Sequence, residues 1–224
     1  MSGLLILGAG GHAKVVAETA LASGVASRLG FLDDRCTGPD SCPTLLGWPV
    51  IGPLAFSLEA GTQAQFPAAV VAFGPAATRL RWITRLQDVG YGLPVLIHPT
   101  AWVSPSAQVG PASVVFAQAV VQAQATIGTG AIVNTGSSVD HDAQLADGVH
   151  LCPGARLAGE VQVGARSWIG ICASVIQQVR IGADVTVGAG GVVVRDLPDG
   201  VTAMGVPARV MSNPDCSLNP SLHS

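Results

Sequence analysis

The stretch NTGSSVDHDAQ, residues 134–144, places a histidine between two acids, because His141 lies between Asp140 and Asp142. An imidazole titrates near neutral pH, and a neighbouring carboxylate fixes its tautomer and raises its basicity. The surrounding residues are mostly Ala, Gly, Ser and Val, so this cluster stands in a segment that is poor in charge. The pattern therefore favours a general base over a surface histidine in a polar turn. Asp142 is the favoured partner of His141, with Asp140 as the alternative.

A second stretch that could do chemistry is rich in glycine. GAGGHAK, residues 8–14, departs from the dinucleotide fingerprint G-x-G-x-x-G because Ala13 stands at the third glycine position. Gly8, Gly10 and Gly11 still allow a tight turn that exposes backbone N–H groups at a helix N-terminus, where phosphate is attracted. The alternative is a plain turn between a strand and a helix.

The part of the chain that must position His141 and its two acids has a sequence repeat of six residues. From residue 103 to residue 193 an aliphatic residue returns at every sixth position, sixteen times, without an insertion. The fifth position of each hexad is mostly Ala or Ser. An amphipathic helix would repeat every three or four residues, so the pattern indicates short strands joined by tight turns. This is the hexapeptide repeat of a parallel β-helix.

The N-terminal part alternates strand and helix patterns. The predicted strands are SGLLIL, RLGFLDD, AAVVAFG and VLIHP, and the predicted helices cover residues 14–22 and PAATRLRWITRLQDVG. This order predicts a small parallel α/β domain of Rossmann type, with Asp33 and Asp34 at the carboxyl end of its second strand, where such folds bind ligands. We therefore expect a Rossmann-like domain at 1–97, a β-helix at 98–211 and a tail at 212–224.

Composition excludes several classes of protein. The net charge of −3 and the absence of a basic stripe argue against nucleic-acid binding. The five cysteines include no CxxC pair, and Cys36 and Cys42 lack nearby histidines at zinc spacing, so we expect reduced thiols and no metal. The first apolar run is too short to span a membrane and has no basic residues before it, which predicts a cytoplasmic protein.

These segments together resemble the bacterial sugar acyltransferases of the sialic-acid O-acetyltransferase type. Relatives in that family N-acetylate nucleotide-linked 4-amino-sugars such as perosamine or the bacillosamine precursor. The resemblance covers nearly the whole chain and rests on LILGAGGHAKVV, GFLDD, LIHPTAWVSPSAQVG, VNTGSSVDHDAQLADGVHLCPGARLAGEVQVG, WIGICASVI and MGVPARV. It implies a left-handed β-helix with three hexads per coil, a homotrimer, acetyl-CoA as cosubstrate and an active site between subunits.

The resemblance also assigns site residues. His141 matches the catalytic base of the family, and Asp142 matches the acid beside it. The positions that match acetyl-CoA contacts are His150, Ile171 and Ala189. The positions that match nucleotide-sugar contacts are Gly10, Gly11, His12, Asp33, Asp34, Arg35 and Gly74. The chain departs from the family after its third predicted strand, where Gly74 is followed by Pro-Ala-Ala instead of a polar turn such as Gly-Asn-Asn.

With three hexads per coil, residues at the same position of successive coils stack along the axis, and residues half a coil apart lie on opposite sides. Gly159 occupies the position of His141 on the next coil, so its backbone N–H is our candidate for the oxyanion donor. His141 and His150 are half a coil apart and should point away from each other. A site that uses both must therefore take them from two subunits.

The sequence thus predicts direct acetyl transfer from acetyl-CoA to the amino group of a nucleotide-linked amino-sugar, GDP-perosamine-like or a UDP-4-amino-sugar. One alternative is O-acetylation of sialic acid or of another capsule or lipopolysaccharide sugar. A non-enzymatic hexapeptide scaffold is a second alternative, which the His141–Asp142 pair disfavours. An NAD-dependent enzyme is a third, which would need a full six-strand domain.

Overall fold

A computed structural model describes residues 3–36 and 43–211 of the chain. Its N-terminal part combines strands with α-helices and one 3-10 turn at Leu54–Leu58. The bounds are Gly3–Leu7 (β1), Gly11–Ala22 (α1), Arg28–Leu32 (β2), Thr44–Leu45 (β3), Trp48–Gly52 (β4), Ala60–Gln65 (α2), Ala68–Val71 (β5) and Ala76–Val89 (α3).

The N-terminal sheet has the order β3-β4-β2-β1-β5, and all its neighbours are parallel except β3 and β4. Side chains of β1 alternate between two apolar clusters: Leu4 and Ile6 pack with α1, while Leu5 and Leu7 pack with α3. Strand order reverses between β1 and β5, so the crevice where ligands bind in open α/β sheets lies at their carboxyl ends.

The fourth strand of this sheet is not the predicted one. VLIHP supplies Leu96–Ile97 (β6), which pairs with Val114–Val115 (β9) in the repeat region. The α/β sheet takes β4 instead, a strand that sequence reasoning missed because Pro49 lies inside it. Proline cannot donate to a ladder, and Pro49 lies opposite Thr44 of the short strand β3, in a pair where the neighbouring Val50 N donates to Pro43 O at 3.0 Å.

The repeat region confirms the period of six. Each of sixteen two-residue strands ends on one of the sixteen predicted aliphatic residues. Besides β9 they are Trp102–Val103 (β7), Gln108–Val109 (β8), Val120–Val121 (β10), Thr126–Ile127 (β11), Ile132–Val133 (β12), Ser138–Val139 (β13), Gln144–Leu145 (β14), His150–Leu151 (β15), Arg156–Leu157 (β16), Gln162–Val163 (β17), Trp168–Ile169 (β18), Ser174–Val175 (β19), Arg180–Ile181 (β20), Thr186–Val187 (β21) and Val192–Val193 (β22).

The strands of the repeat pair in parallel with their counterparts three hexads away, which builds three sheets around one apolar core. We refer to these sheets by the members β13, β14 and β15. The aliphatic residues fill the interior, and small residues such as Ala119 and Ala143 are fully buried beside them. Thr202–Met204 (β23) and Arg209–Val210 (β24) close the β15 sheet with a hairpin. The predicted architecture, an α/β domain followed by a parallel β-helix, is confirmed.

From the turn between β8 and β9 to the turn between β21 and β22, each turn of the repeat contains a residue in the left-handed region. Positive φ recurs at every sixth residue from Ala112 to Gly190, and nine of these fourteen residues are not glycine. L-residues avoid this region, but Asp and Asn tolerate it better than most. Asp142 is one of the nine, with φ +59°. The repeat therefore sets the backbone that orients the segment around His141.

The N-terminal part packs directly on the coils. Val114, Phe116 and Ile132 share an apolar cluster with α1. On the other side of the sheet, α3 lies against two turn glycines: a β-carbon at Gly130 would approach Ile83 Cδ1 to 2.5 Å. The predicted division at residues 97 and 98 remains a proposal, and the predicted tail at 212–224 lies outside the described residues.

The expectation of reduced thiols is wrong for Cys36, which is disulfide-bonded, whereas Cys152 and Cys172 are free. Within residues 3–36 and 43–211, no group of three or more His, Cys, Asp or Glu side chains is placed to hold a metal ion. No helix in the same ranges is long and apolar enough to cross a membrane.

Candidate active site

The first candidate group is the turn between β13 and β14, which carries His141. Its ring Nδ1 lies 2.8 Å from Asp142 Oδ2, and both side chains are about half exposed, at 55% and 48%. A carboxylate can only accept, so the proton sits on Nδ1 and leaves Nε2 with a free lone pair. Asp140 has another role, because its Oδ1 accepts from the His141 backbone N–H at 2.8 Å. The geometry therefore pairs the ring with Asp142.

The surroundings of His141 raise its pKa above the ordinary value. The largest cause is the hydrogen bond to Asp142, which desolvation opposes, and the charges of Asp140, Asp142 and Glu160 add to the rise. A more basic imidazole takes a proton more readily from a nucleophile. This turn can therefore supply a general base to a substrate that reaches it from solvent.

Gly159 lies directly beneath the His141 ring. A β-carbon at Gly159 would come within 2.5 Å of both Cε1 and Nε2 of His141, closer than side-chain atoms can pack. The Gly159 carbonyl accepts from Gln178 N at 3.0 Å, while Glu160 N donates to the His141 carbonyl at 2.9 Å. Stacked coils thus hold the ring against a backbone that only glycine makes accessible.

The second candidate group is a groove of about 330 Å³ on the β15 sheet. It contains all three positions that the resemblance connects with acetyl-CoA, His150, Ile171 and Ala189. Ile171 is exposed, whereas His150 is only 7% exposed. Cys152, Pro153 and other apolar groups form most of the remaining wall. The groove therefore offers a mostly apolar surface with one imidazole at its buried end.

His150 is a neutral histidine. Burial is the largest cause that lowers its pKa well below the ordinary value, and the charges of Arg79 and His12 lower it further. Asn134 fixes its tautomer: Asn134 Oδ1 accepts from Thr135 N at 2.8 Å, which turns Nδ2 toward His150 Nε2 at 3.3 Å. The proton of His150 is then on Nδ1, which is buried and has no partner among the described residues.

The third candidate group lies at the carboxyl end of the α/β sheet. Gly10 and Gly11 begin α1, and a β-carbon at either would meet nothing within 4 Å. Asp33 Oδ2 accepts from Ala9 N at 2.8 Å, and the Asp33 carboxylate also accepts from Nε and Nη2 of Arg35, whose side chain is 74% exposed. The hydrogen bond from Arg35 is the main cause that lowers the pKa of Asp33 to about 2.

Asp34 has a structural contact of its own, because its Oδ1 accepts from Leu54 N at 2.9 Å. Asp33 and Arg35 line a cavity of about 200 Å³ together with Ala9. The structure therefore brings Asp33, Arg35 and the start of the glycine-rich turn together. It uses Asp34 to anchor the following loop.

His12 and Gly74 lie toward the β-helix rather than in that cavity. The His12 and His150 ring centroids are 6.4 Å apart, and a β-carbon at Gly74 would lie 3.9 Å from Trp168 Cζ3. Burial, with a smaller contribution from Arg79, lowers the pKa of His12 to about 4. Through these contacts the groove on the β15 sheet and the carboxyl end of the α/β sheet adjoin each other within one chain. His141 belongs to a different corner of the prism, between the β13 and β14 sheets.

Sequence reasoning missed three side chains at this junction. Trp168 packs on His150 with ring centroids 4.1 Å apart, Asn134 orients His150, and Arg79 lies buried beside both histidines. Trp168 occupies the position of His150 on the next coil, so the stacking rule could have found it. Arg79 gives no such signal, because its partners Gly130 and Gly148 lie far away along the chain.

Comparisons with known proteins agree with this arrangement. The model of the PglD N-terminal domain family matches residues 3–86. The acetyltransferase domain of PglB from Neisseria gonorrhoeae FA1090 is 45% identical, with a TM-score of 0.88, over 94% of this chain and 100% of that chain. The same domain has also been solved with acetyl coenzyme A.

A mutant of perosamine N-acetyltransferase from Caulobacter crescentus, in complex with CoA and GDP-perosamine, is 42% identical with a TM-score of 0.88. That match covers 95% of this chain and 98% of the other. Serine acetyltransferase from Synechococcus elongatus is 40% identical over 68 residues, which are 30% of this chain, so the chain spans only 25% of that relative. The matches to the PglB acetyltransferase domain and to the perosamine N-acetyltransferase extend over both halves of the fold. The chain therefore belongs to the hexapeptide-repeat sugar acetyltransferases.

Proposed function

We propose that the protein transfers acetyl from acetyl-CoA to the amino group of a nucleotide-linked amino-sugar, GDP-perosamine-like or a UDP-4-amino-sugar. The observation that carries the proposal is the His141–Asp142 pair, whose free Nε2 lies over Gly159 on an exposed turn. The Caulobacter relative, solved with CoA and GDP-perosamine, supports the same substrate class.

In the proposed reaction the sugar amine attacks the thioester carbonyl carbon while His141 Nε2 takes a proton from the amine. The Gly159 N–H stabilises the oxyanion of the tetrahedral intermediate, and removal of such a donor typically slows a reaction by about 100-fold or more. The C–S bond then breaks, and the CoA thiolate takes up a proton. No covalent acyl-enzyme forms, and Cys152 is unsuited to be a nucleophile because burial raises its pKa to about 12.

The groove on the β15 sheet is the proposed acetyl-CoA site. Its apolar wall, with exposed Ile171 and with Ala189, suits an alkyl amide arm. The unpartnered Nδ1–H of His150 suits a carbonyl or amide oxygen of the cosubstrate, since a buried donor gains most from a new acceptor. His150, Ile171 and Ala189 would thus bind and orient the cosubstrate.

The carboxyl end of the α/β sheet is the proposed nucleotide-sugar site. Gly10 and Gly11 leave room for a diphosphate at the N-terminus of α1, and Asp33 lines the adjoining cavity, where a carboxylate suits sugar or ribose hydroxyls. Asp34, which the resemblance includes in this site, instead accepts from Leu54 N and would act by holding the loop beside it. Arg35 supplies a positive charge to the same region. Pro75, which precedes α3, provides no polar side chain next to Gly74. This pocket would therefore form fewer side-chain hydrogen bonds to its sugar than a pocket with a polar turn such as Gly-Asn-Asn.

The proposed active unit is a homotrimer. His141 lies at the corner between the β13 and β14 sheets, whereas His150 faces outward from the β15 sheet. One acetyl group can meet both histidines only where a second chain brings its own corner to the groove. A prism with three faces suits threefold packing, because each chain then presents one corner to the next.

A product assay tests the proposal. The protein is incubated with acetyl-CoA and a panel of GDP- and UDP-linked 4-amino-sugars, with the corresponding 4-hydroxy sugars and free sialic acid as comparisons. We expect a mass gain of one acetyl group on an amino-sugar, stable to mild alkali as an amide is. An alkali-labile product on a hydroxyl would instead establish the O-acetyltransferase alternative. No product with any acceptor would contradict both.

A further inference from the structure

Arg79 is a buried cation whose hydrogen bonds, among the residues that the structure describes, all go to backbone carbonyls. Its side chain lies on α3 and is 1% exposed. The guanidinium donates from Nε to Gly130 O at 2.8 Å, from Nη2 to Gly148 O at 2.8 Å, and from Nη1 to the carbonyls of Phe73 and Gly74. Across residues 3–36 and 43–211 no carboxylate forms an ion pair with it.

The four carbonyls belong to two different parts of the molecule. Gly130 and Gly148 are turn residues of consecutive coils at one corner, both with positive φ, and Gly148 lies two residues before His150. Phe73 and Gly74 form the turn after β5 in the α/β sheet. The guanidinium therefore links the Gly74 turn to the corner that leads into the strand of His150.

This linkage needs the shape of arginine. The planar guanidinium holds donors at fixed angles, so Nε and Nη2 reach carbonyls on two successive coils while Nη1 reaches the turn from the other edge. A lysine ammonium keeps the charge but is one compact centre and cannot span the same acceptors. Burial lowers the pKa of Arg79 only to about 10, so the group stays charged at neutral pH.

The linkage adjoins both proposed substrate sites. Gly74 approaches Trp168, which packs on His150, and His12 completes the contact between the glycine-rich turn and His150. The β-helix coils are held together by their own ladders, such as Gly148 N to Thr129 O at 2.9 Å. Loss of the linkage should therefore leave the acetyl-CoA groove intact and allow the Gly74 turn to shift.

We infer that Arg79 is a positioning residue for acetyl transfer, one that fixes the Gly74 turn of the nucleotide-sugar site at a set distance from His150. The inference rests on the proposed function for its substrates. A purely structural alternative is that Arg79 only stabilises the fold, in which case its loss would lower thermal stability and leave the kinetic constants unchanged.

The test compares Arg79→Lys and Arg79→Met with Arg81→Lys and Arg81→Met. Arg81 is the matched control, an exposed arginine on the same helix that contacts Thr78. In Arg79→Lys we expect the KM for the nucleotide-sugar to rise about tenfold or more, because substrate positioning is lost. The KM for acetyl-CoA should stay near the wild-type value, and the Arg81 variants should resemble wild type in both constants.

A titration of the two buried histidines separates charge from geometry. Arg79→Lys keeps the positive charge beside His12 and His150, so the pH at which each ring protonates, followed by NMR, should stay near the wild-type value. Arg79→Met removes that charge, so both rings should protonate at higher pH, while the acidic limb of kcat/KM, which we assign to His141, should stay where it is in wild type. If Arg79→Met does not fold, Arg79→Lys and Arg79→Gln carry the kinetic test.

Amide hydrogen exchange of the segment around residues 70–80 supplies a readout that needs no turnover. Faster exchange there in Arg79→Lys, with β-helix peptides unchanged, is the expected result. Unchanged exchange, or an unchanged nucleotide-sugar KM with only a lower Tm, would overturn the inference. Failure of the wild type to acetylate any amino-sugar would instead contradict the proposed function, and the exchange result would still decide whether Arg79 fixes the turn.

Discussion

The two histidines of the β-helix differ in almost every physical property, although they lie only half a coil apart. His141 lies on an exposed turn beside a carboxylate that raises its pKa, while His150 is buried in the wall of a groove, where desolvation lowers its pKa. The first suits proton transfer, and the second suits a hydrogen bond from a neutral ring. The difference shows how the position of a residue within the repeat decides the chemistry that its side chain can do.

The largest expected effect comes from removing the basic ring. His141→Asn should lower kcat by about 100-fold or more, the usual contribution of a general base, with acetyl-CoA binding unchanged. Steady-state kinetics and calorimetry measure the two quantities. His98→Asn, at a histidine whose Nδ1 contacts Thr100 at the start of the coils, is the control and should keep wild-type kinetics. Near wild-type turnover in His141→Asn would show that the exposed histidine is not the base.

A somewhat smaller effect is expected from displacing the same ring. Gly159→Ala places a β-carbon where His141 Cε1 and Nε2 now lie, so the ring must move while the pair with Asp142 can persist. A displacement of this size should lower kcat by up to about 100-fold. Gly136→Asn is the control, because a side chain there meets nothing and Asn tolerates the positive φ. Equal kcat values in the two variants would show that turnover does not depend on the exact position of the His141 ring.

Neutralising the carboxylate should change the pH dependence more than the rate. Asp142→Asn keeps a side chain that tolerates φ +59° but removes the main cause of the raised His141 pKa. The base is lost as pH falls through the pKa of His141, so the acidic limb of kcat/KM should move to lower pH in this variant. An unmoved limb would assign the titration to another group. Asp140→Asn provides the comparison, since Asp140 binds the backbone and contributes less to the shift.

The smallest expected effect is on the thermal stability that depends on His12, the buried histidine whose ring lies near His150. The native pKa of His12 is about 4, so the unfolded chain binds a proton that the folded chain rejects as pH falls from about 6.5 toward 4. Over that pH range the Tm of His12→Phe should therefore fall less than the Tm of the wild type, with a difference on the order of a few degrees. Thermal unfolding followed by circular dichroism measures this. An identical acid dependence would show that His12 is not buried as a neutral ring.

Much of the fold could be predicted because it depends on local repetition. The sixteen strands of the coils coincide with the sixteen aliphatic positions, since one inward side chain per hexad is a constraint that every coil must satisfy. β6 was assigned to the wrong sheet for the opposite reason. Its short apolar run fits either half, and only long-range pairing with β9 decides between them.

The site could be predicted only where spacing fixes it. Gly159 was found because it lies one coil after His141, and the structure places it under the ring. Arg79 could not be found, because a buried arginine without a carboxylate partner has no pattern in sequence and depends on carbonyls from distant turns. The roles of these residues in acetyl transfer stay predictions.

The measurement that tests the central claim most directly is complementation between the two histidines. His141→Asn and His150→Phe chains, each inactive alone, are co-expressed with different tags, and trimers that contain both are purified. If each site takes its base from one chain and its groove from the next, about a third of the sites in these mixed trimers carry both wild-type histidines. Activity should then return to a comparable fraction of wild type. Folded mixed trimers without activity would contradict a site shared between chains.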